Sequence, residues 1–156
     1  EVNGGGLYMT IRNGWHGKRF GAWSSDRGET WSEPELREDI PDPVCEASIL
    51  RLTDRVRYDK DRVIFSNPAS SKRERMTVRL SYDECRTWPV SKTLYPGPSS
   101  YSDMAIALDM TICCLYERGM DEYHAGIDKN RFPETTKFAQ FNLEWLTDGM
   151  DSAELK

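Results

Sequence analysis

A chain of 156 residues with 38% hydrophobic and 30% charged side chains has the composition of one compact domain, or of a piece of a larger one. Its net charge of −5 argues against nucleic acid or an anionic membrane surface as the main partner, and no apolar run approaches the roughly 20 residues that span a bilayer. Four cysteines (Cys45, Cys85, Cys113, Cys114) and two distant histidines lack metal-ligand spacing, so neither a metal nor a cofactor is expected and the redox compartment stays open. The first residues, "EVNGGGLYM", read as mid-domain sequence, so the lack of a signal-peptide pattern carries no information on export.

Taken in order, the predicted elements are almost all strands. "GLYMTIRN" alternates, with Leu7, Met9 and Ile11 on one face and Tyr8, Thr10 and Arg12 on the other. "RFGAWSS", "ASILRLT", "RVIFSNPA", "RMTVRLSY", "SKTLYPG", "DMAIALD", "MTICCLYE" and "KFAQFNLEWL" follow. Each is rich in β-branched or aromatic residues and is bounded by Gly, Pro, Asp or Asn. No stretch before the C-terminus carries a helical apolar stripe. The closing "TDGMDSAELK" is expected to form a helical turn or to fray, so residues 148–156 are set apart as a tail behind a unit of residues 1–147.

Two loops set a period. Ser24-x-Asp26-x-Gly28-x-Thr30-Trp31 recurs as Ser81-x-Asp83-x-Cys85-x-Thr87-Trp88, and Trp31 to Trp88 is 57 residues (88 − 31). About four strands fall between them, the length of one four-stranded propeller blade with its connection. A sandwich with a repeated turn would not require so long a repeat. The expected fold is therefore all-β, a β-propeller.

The pattern S-x-D-x-G-x-T-W is the Asp-box, a hairpin loop of propellers. Its aspartate can accept backbone N–H bonds across the turn, its glycine can take a left-handed conformation, and its tryptophan can pack beneath the hairpin. The second copy lacks only the glycine. Cys85 there has to tolerate an unfavourable backbone angle or sit in a relaxed turn. Such a loop is a device of the fold and does not itself indicate catalysis.

Chemistry has to come from elsewhere. The ordered set "GLYMTIRN", "PDPVCEASILR", "FSNPAS", "MTVRLSYD", "TWPVSK", "YPGPSSYSD", "LYERG" and "FNLEWL" resembles the exo-α-sialidases (neuraminidases) of the bacterial and lysosomal type. The resemblance implies a six-bladed propeller of which this chain covers about the last three blades. It also implies a site in which three arginines hold the substrate carboxylate, a tyrosine attacks the anomeric carbon, and acidic residues assist. Residue by residue, Arg12 of "MTIRN" matches the second arginine and Arg73 the third, with Arg75 competing by a shift of two. Tyr101 of "SSYSD" matches the nucleophile. Glu117 of "LYERG" matches a glutamate that orients an arginine. Glu46 falls where the family tends to carry an amide or small polar group near the sugar.

The implied selection has a chemical reason. Sialic acid carries a carboxylate on the carbon under attack, so an Asp or Glu nucleophile would meet like charge, whereas a phenol is neutral until deprotonated. Guanidinium groups offer planar, permanently charged donors that lysine cannot replace at a bidentate position. Outside the resemblance each residue has an ordinary reading. Arg12 is a solvent-facing strand residue, Arg73 is one charge in "SKRERM", Tyr101 is a packing or turn residue, and Glu117 with Arg118 is a surface pair. Asn67 reads as a strand-end turn residue, and His16 and His124 as surface or packing residues.

The first arginine, the acid/base aspartate and the glutamate partner of the tyrosine are not matched in this chain, which implies an incomplete site and an isolated fragment without activity. Two departures fall inside the matched region: Cys85 for glycine, and Asp109-Met110 for a D-G turn. The function implied by resemblance is a retaining glycosidase releasing terminal sialic acid from glycoconjugates, in a secreted, periplasmic or lysosomal setting. Sialyl transfer would use the same residues. The alternative from another class is a non-catalytic Asp-box propeller that binds sialylated glycans or protein partners.

Overall fold

The computed structural model describes residues 1–119 and 135–156; His124 lies outside them. Strands β1 (Leu7–Ile11), β2 (Lys18–Ser24) and β3 (Glu35–Pro41) form an antiparallel sheet in that order. Strands β4 (Ser48–Thr53), β5 (Arg62–Pro68), β6 (Glu74–Ser81), β7 (Val90–Ile106), β8 (Ile112–Arg118) and β9 (Thr135–Phe141) follow one another across a second sheet. β7 is the joint: Val90 to Pro98 pairs with β6, while Ser99 to Ile106 pairs with β8. Strands β4 to β6 with the first half of β7 are one four-stranded blade, β1 to β3 belong to the blade before it, and the second half of β7 opens the blade after it. The chain is a β-propeller segment, as the 57-residue period leads one to expect.

Register makes the repeat concrete. Leu7 pairs with Ser24 and Val63 with Ser81, so the β1–β2 hairpin is the counterpart of β5–β6. "SKTLYPG" and "DMAIALD", expected as two strands, are one 17-residue strand. The prolines between them are tolerated because the chain changes neighbours there. Pro98 needs no N–H at that point; its carbonyl accepts Gly119 N–H at 2.8 Å. β3, "ELREDIP", is acid-rich and half exposed and has no place among the strands expected from the sequence; its pairing with β2 makes it a strand. The end of "KFAQFNLEWL" turns into a short helix, α1 (Leu143–Leu146), where Asn142 Oδ1 accepts Trp145 N–H at 2.9 Å as an N-cap.

Two cores lie on either side of the middle blade, and β5 serves both. Val63 and Phe65 point to one cluster with Ile40, Cys85 and Trp88, while Ile64 joins Leu52, Met76, Val78, Leu80, Met104, Ile112 and Leu146 in the other. All seven residues of β5 are buried, which is why its sequence runs without polar alternation. The terminal residues do not fray. Asp151 is buried and takes bonds from Arg62 Nη2 (2.7 Å) and Nε (2.8 Å), Lys60 Nζ (2.9 Å) and the Tyr82 hydroxyl (2.8 Å). Burial opposes ionisation of Asp151, and the bonds from Arg62, Lys60 and Tyr82 outweigh it, holding the carboxyl well below the usual range.

Both Asp-boxes make the same Ser-Asp-Thr bonds. Asp26 accepts the Ser24 hydroxyl (2.8 Å), Thr30 N–H (2.9 Å) and the Thr30 hydroxyl (2.6 Å); Asp83 accepts the Ser81 hydroxyl (2.8 Å), Thr87 N–H (2.8 Å) and the Thr87 hydroxyl (2.6 Å). Gly28 N–H and Cys85 N–H return to Ser24 Oγ and Ser81 Oγ. Cys85 does take the glycine's angle, at φ +69° against +94° for Gly28. Met110, where a D-G turn is the usual choice, likewise sits at φ +67°.

Candidate active site

The Asp-boxes and the candidate residues leave opposite ends of the same hairpins. Ser24 and Ser81 end β2 and β6 on one side, whereas Arg12 follows the last residue of β1 and Arg73 precedes the first residue of β6 on the other. Five residues of β1 and eight of β6 separate the two ends, about 16 Å and about 26 Å. Ser24, Asp26, Gly28, Trp31, Ser81, Asp83 and Trp88 therefore lie away from the arginines, in keeping with their reading as parts of the fold.

The arginine end is organised by β7. Ser99 N–H donates to the Arg73 carbonyl at 2.9 Å, Arg73 Nη1 donates to Ser100 Oγ at 2.9 Å, and the Arg73 guanidinium carbon lies 5.5 Å from the centre of the Tyr101 ring. Pairing then skips. Ser99 faces Arg118 and Ser102 faces Tyr116, so β7 carries one more residue than β8 across this interval. Such a bulge interrupts the ladder and re-aims a side chain. The N–H groups it releases find carboxylates: Tyr101 N–H donates to Glu117 Oε2 at 3.2 Å, and Ser102 N–H to Glu46 Oε2 at 3.3 Å.

A buried scaffold holds the loop that carries Glu46. Asp42 is fully buried, accepting Arg19 Nη1 (3.2 Å), Asn67 Nδ2 (3.3 Å) and Cys45 N–H (3.2 Å), and Arg19 Nη1 also donates to the Cys45 carbonyl at 2.9 Å. Cys45 lies behind the site, its sulfur 3.6 Å from Ser100 Oγ. Burial raises the Cys45 thiol, opposed by the Ser100 hydroxyl and by the positive charges of Arg73 and Arg12. Arg12 and Arg73, on neighbouring blades, thus act on the same buried group. Although Glu46 reaches solvent, partial desolvation raises its pKa, the Ser102 N–H pulls it back, Asp103 and Glu117 raise it, and Arg19 lowers it. Glu46 and Glu117 are electrostatic neighbours across Tyr101.

Arg12, Arg73, Tyr101, Glu117 and Glu46 are thereby brought to one end of the blades. Two guanidiniums and two carboxylates gathered with a half-buried tyrosine at one end of the blades suit a ligand that is anionic at one point and carries hydroxyls at another. Of the two arginines in competition, Arg73 reaches Ser100 and Tyr101; Arg75 lies within β6 and its charge acts on Arg79. Asn67 is buried in β5 and bridges Pro41, Asp42 and Arg79. His16 is exposed beside Phe20. Sequence reasoning missed Arg19, Asp42, Cys45 and Ser100. Each bonds across at least 23 residues of chain, so no local pattern marks it.

Residues 1–114 match the BNR repeat-like domain family. The chain is 35% identical over 151 residues to a sialidase of Micromonospora viridifaciens, which covers 94% of this chain and 21% of that protein. An exo-alpha-sialidase of Aspergillus fumigatus is 32% identical over 142 residues, 83% of this chain and 30% of the relative. Among solved structures, the Hadza microbial sialidase Hz136 is 32% identical with a TM-score of 0.66 over 74% of this chain and 24% of its own. The intramolecular trans-sialidase of Ruminococcus gnavus, solved with oseltamivir carboxylate, has a TM-score of 0.74 at 24% identity, over 94% of this chain and 32% of its own; that likeness bears on the fold alone. The chain spans about a fifth to a third of the length of these proteins.

Proposed function

The chain belongs to the sialidase family of BNR-repeat propellers, and from that premise we propose that it contributes part of the site of a retaining exo-α-sialidase releasing terminal sialic acid from glycoconjugates. Arg12 and Arg73 hold the substrate carboxylate, Tyr101 attacks the anomeric carbon, Glu117 orients an arginine and Glu46 receives a sugar hydroxyl. No residue of this chain is assigned as the acid/base or as the group that takes the proton from Tyr101. The observation that carries the reading is the contact of Arg73 with Ser100 Oγ at 2.9 Å and with the Tyr101 ring at 5.5 Å.

The physical case runs through charge. As the phenol gives up its proton, negative charge grows on its oxygen beside a carboxylate that is already negative, and it is consumed as the bond to the anomeric carbon forms and the bond to the leaving group breaks. A guanidinium close to both offsets that repulsion, holding the carboxylate and favouring the deprotonated phenol. Glu117 supports the bulge by accepting the Tyr101 N–H with one oxygen, which leaves the other for an arginine. Glu46 likewise has one oxygen on Ser102 N–H and one to offer a hydroxyl.

Release of sialic acid from α-linked sialosides by the full-length protein, followed by NMR, tests the proposal. The first product is expected as the α-anomer, as two successive inversions require. Tyr101→Phe is expected to lower turnover by about three orders of magnitude or more, and near-normal turnover refutes the nucleophile. Sialyl transfer would show as a product carrying an added acceptor sugar. Glycan binding without release would place the protein among non-catalytic propellers.

A further inference from the structure

Ser100 stands directly before Tyr101 and is fully buried. Its hydroxyl accepts Arg73 Nη1 at 2.9 Å and lies 3.6 Å from the Cys45 sulfur. The residues on either side touch the same arginine, Ser99 through its N–H on the Arg73 carbonyl at 2.9 Å and Tyr101 through its ring at 5.5 Å. Three consecutive residues grip one arginine by three chemically different contacts. A guanidinium that binds a carboxylate has to present its donors in a set plane, because a bidentate pair tolerates little rotation. One N–H committed to Ser100 sets that plane and leaves the remaining donors for a ligand.

We infer that Ser100 is a positioning residue: its hydroxyl sets the plane of the Arg73 guanidinium and ties it to the bulge that carries Tyr101. The carboxylate-holding group and the attacking phenol then keep one relative geometry. The inference rests on the roles given to Arg73 and Tyr101 above. Cys45 backs the contact. With Arg73 donating to the Ser100 oxygen, the hydroxyl proton is left to point at the sulfur. Cys45 is itself held at its N–H by Asp42 and at its carbonyl by Arg19.

Ser99 supplies the control. It is equally buried, one residue away, and its hydroxyl meets no partner among the described residues. In the full-length protein, Ser100→Ala is expected to raise KM for an α-sialoside about ten- to a hundredfold, the loss of one hydrogen bond to a charged group. Its kcat changes less, and the Kd of free N-acetylneuraminic acid, read by calorimetry, follows KM. Ser99→Ala removes only the unpartnered hydroxyl, keeps the main-chain N–H bond to the Arg73 carbonyl, and leaves KM and Kd near wild type. A packing role for the segment would instead lower the melting temperature of both variants and leave KM in place. Unchanged KM and Kd in Ser100→Ala overturn the inference, as does an equal rise in Ser99→Ala. If the wild type binds N-acetylneuraminic acid but releases none from a sialoside, the enzymatic reading fails while the Kd comparison still decides the role of Ser100. Absence of binding by the wild type overturns both.

Discussion

The two Asp-box loops share their Ser-Asp-Thr hydrogen bonds and differ in what surrounds them. In the first, Trp31 is 37% exposed and its indole N–H donates to the Gly28 carbonyl at 3.1 Å, within the loop. The second sits in the seam between two blades. Trp88 is 9% exposed against the Phe65 ring, and Arg37 of β3 crosses to donate to the Cys85 and Arg86 carbonyls at 2.7 Å each. The guanidinium carbons of Arg37 and Arg86 lie 5.6 and 5.4 Å from the centre of the Trp23 ring. A local turn motif therefore serves two purposes: it closes its own hairpin in both copies, and in the second it also joins blades. The Ser-Asp-Thr bonds are common to both, so the difference lies in the tryptophan: exposed and bonded to Gly28 in the first, buried with its indole N–H unpartnered among the described residues in the second.

The widest separation between the loops should come from their tryptophans. Trp88→Ala is expected to destabilise the protein by about 3–5 kcal/mol, the range for emptying an aromatic site in a core. Trp31→Ala should cost about 1 kcal/mol, as a partly exposed side chain with one hydrogen bond. Urea unfolding midpoints compare the two, and equal losses would remove the distinction.

A smaller contrast concerns the left-handed position. Gly28→Ala places a Cβ at φ +94° and 3.2 Å from Leu7 Cδ1, and should cost about 1–2 kcal/mol. Cys85→Gly relieves a similar strain but empties a site that is 1% exposed and packed among Ile40, Val63, Phe65 and Trp88. The lost burial, about 1–2 kcal/mol for so small a side chain, offsets the relief, so this change should be nearly neutral. Met110 follows the same logic: it occupies a left-handed turn position and packs against the larger core. Denaturant midpoints of the two glycine exchanges would show whether burial does compensate strain here.

The smallest effect is one of pH. Bonds from the Thr30 hydroxyl and N–H and from Ser24 lower the Asp26 carboxyl to about 2. A depressed carboxylate stabilises the fold above its unfolded pKa and loses that contribution as pH falls toward the folded one, here between about pH 4 and pH 2. Asp26→Asn should flatten the melting temperature against pH across that window. A slope as steep as wild type would mean that other carboxylates set it.

Legibility varied with the range of the interaction that builds each feature. β1 could be read from alternation, β2 from its aromatic content and bounding turn residues, and the Asp-box turns from residues within eight positions of one another. β3 could not, because an acidic edge strand has no pattern of its own and is defined by the partner it pairs with. The unbroken β7 was hidden by Pro96 and Pro98, which mark an end in most strands but here mark a change of partner. At the candidate site, Arg12, Arg73, Tyr101, Glu117 and Glu46 were named through resemblance; their residue types alone would have read as surface charge and a turn tyrosine. Ser100 was invisible within "PGPSS", where every residue is a plausible turn former.

By itself the sequence determined where both Asp-box loops and the strands with a pattern of their own form, and how long a blade is, because alternation and turn chemistry act over a few neighbouring residues. Only the tertiary structure decided which side chains meet. Arg73 finds Ser100 across 27 residues and Arg62 finds Asp151 across 89, by blades packing side by side. It also decided that a cysteine could stand where a glycine is usual. The cost of that backbone angle is local, and the burial that offsets it is contributed by another strand.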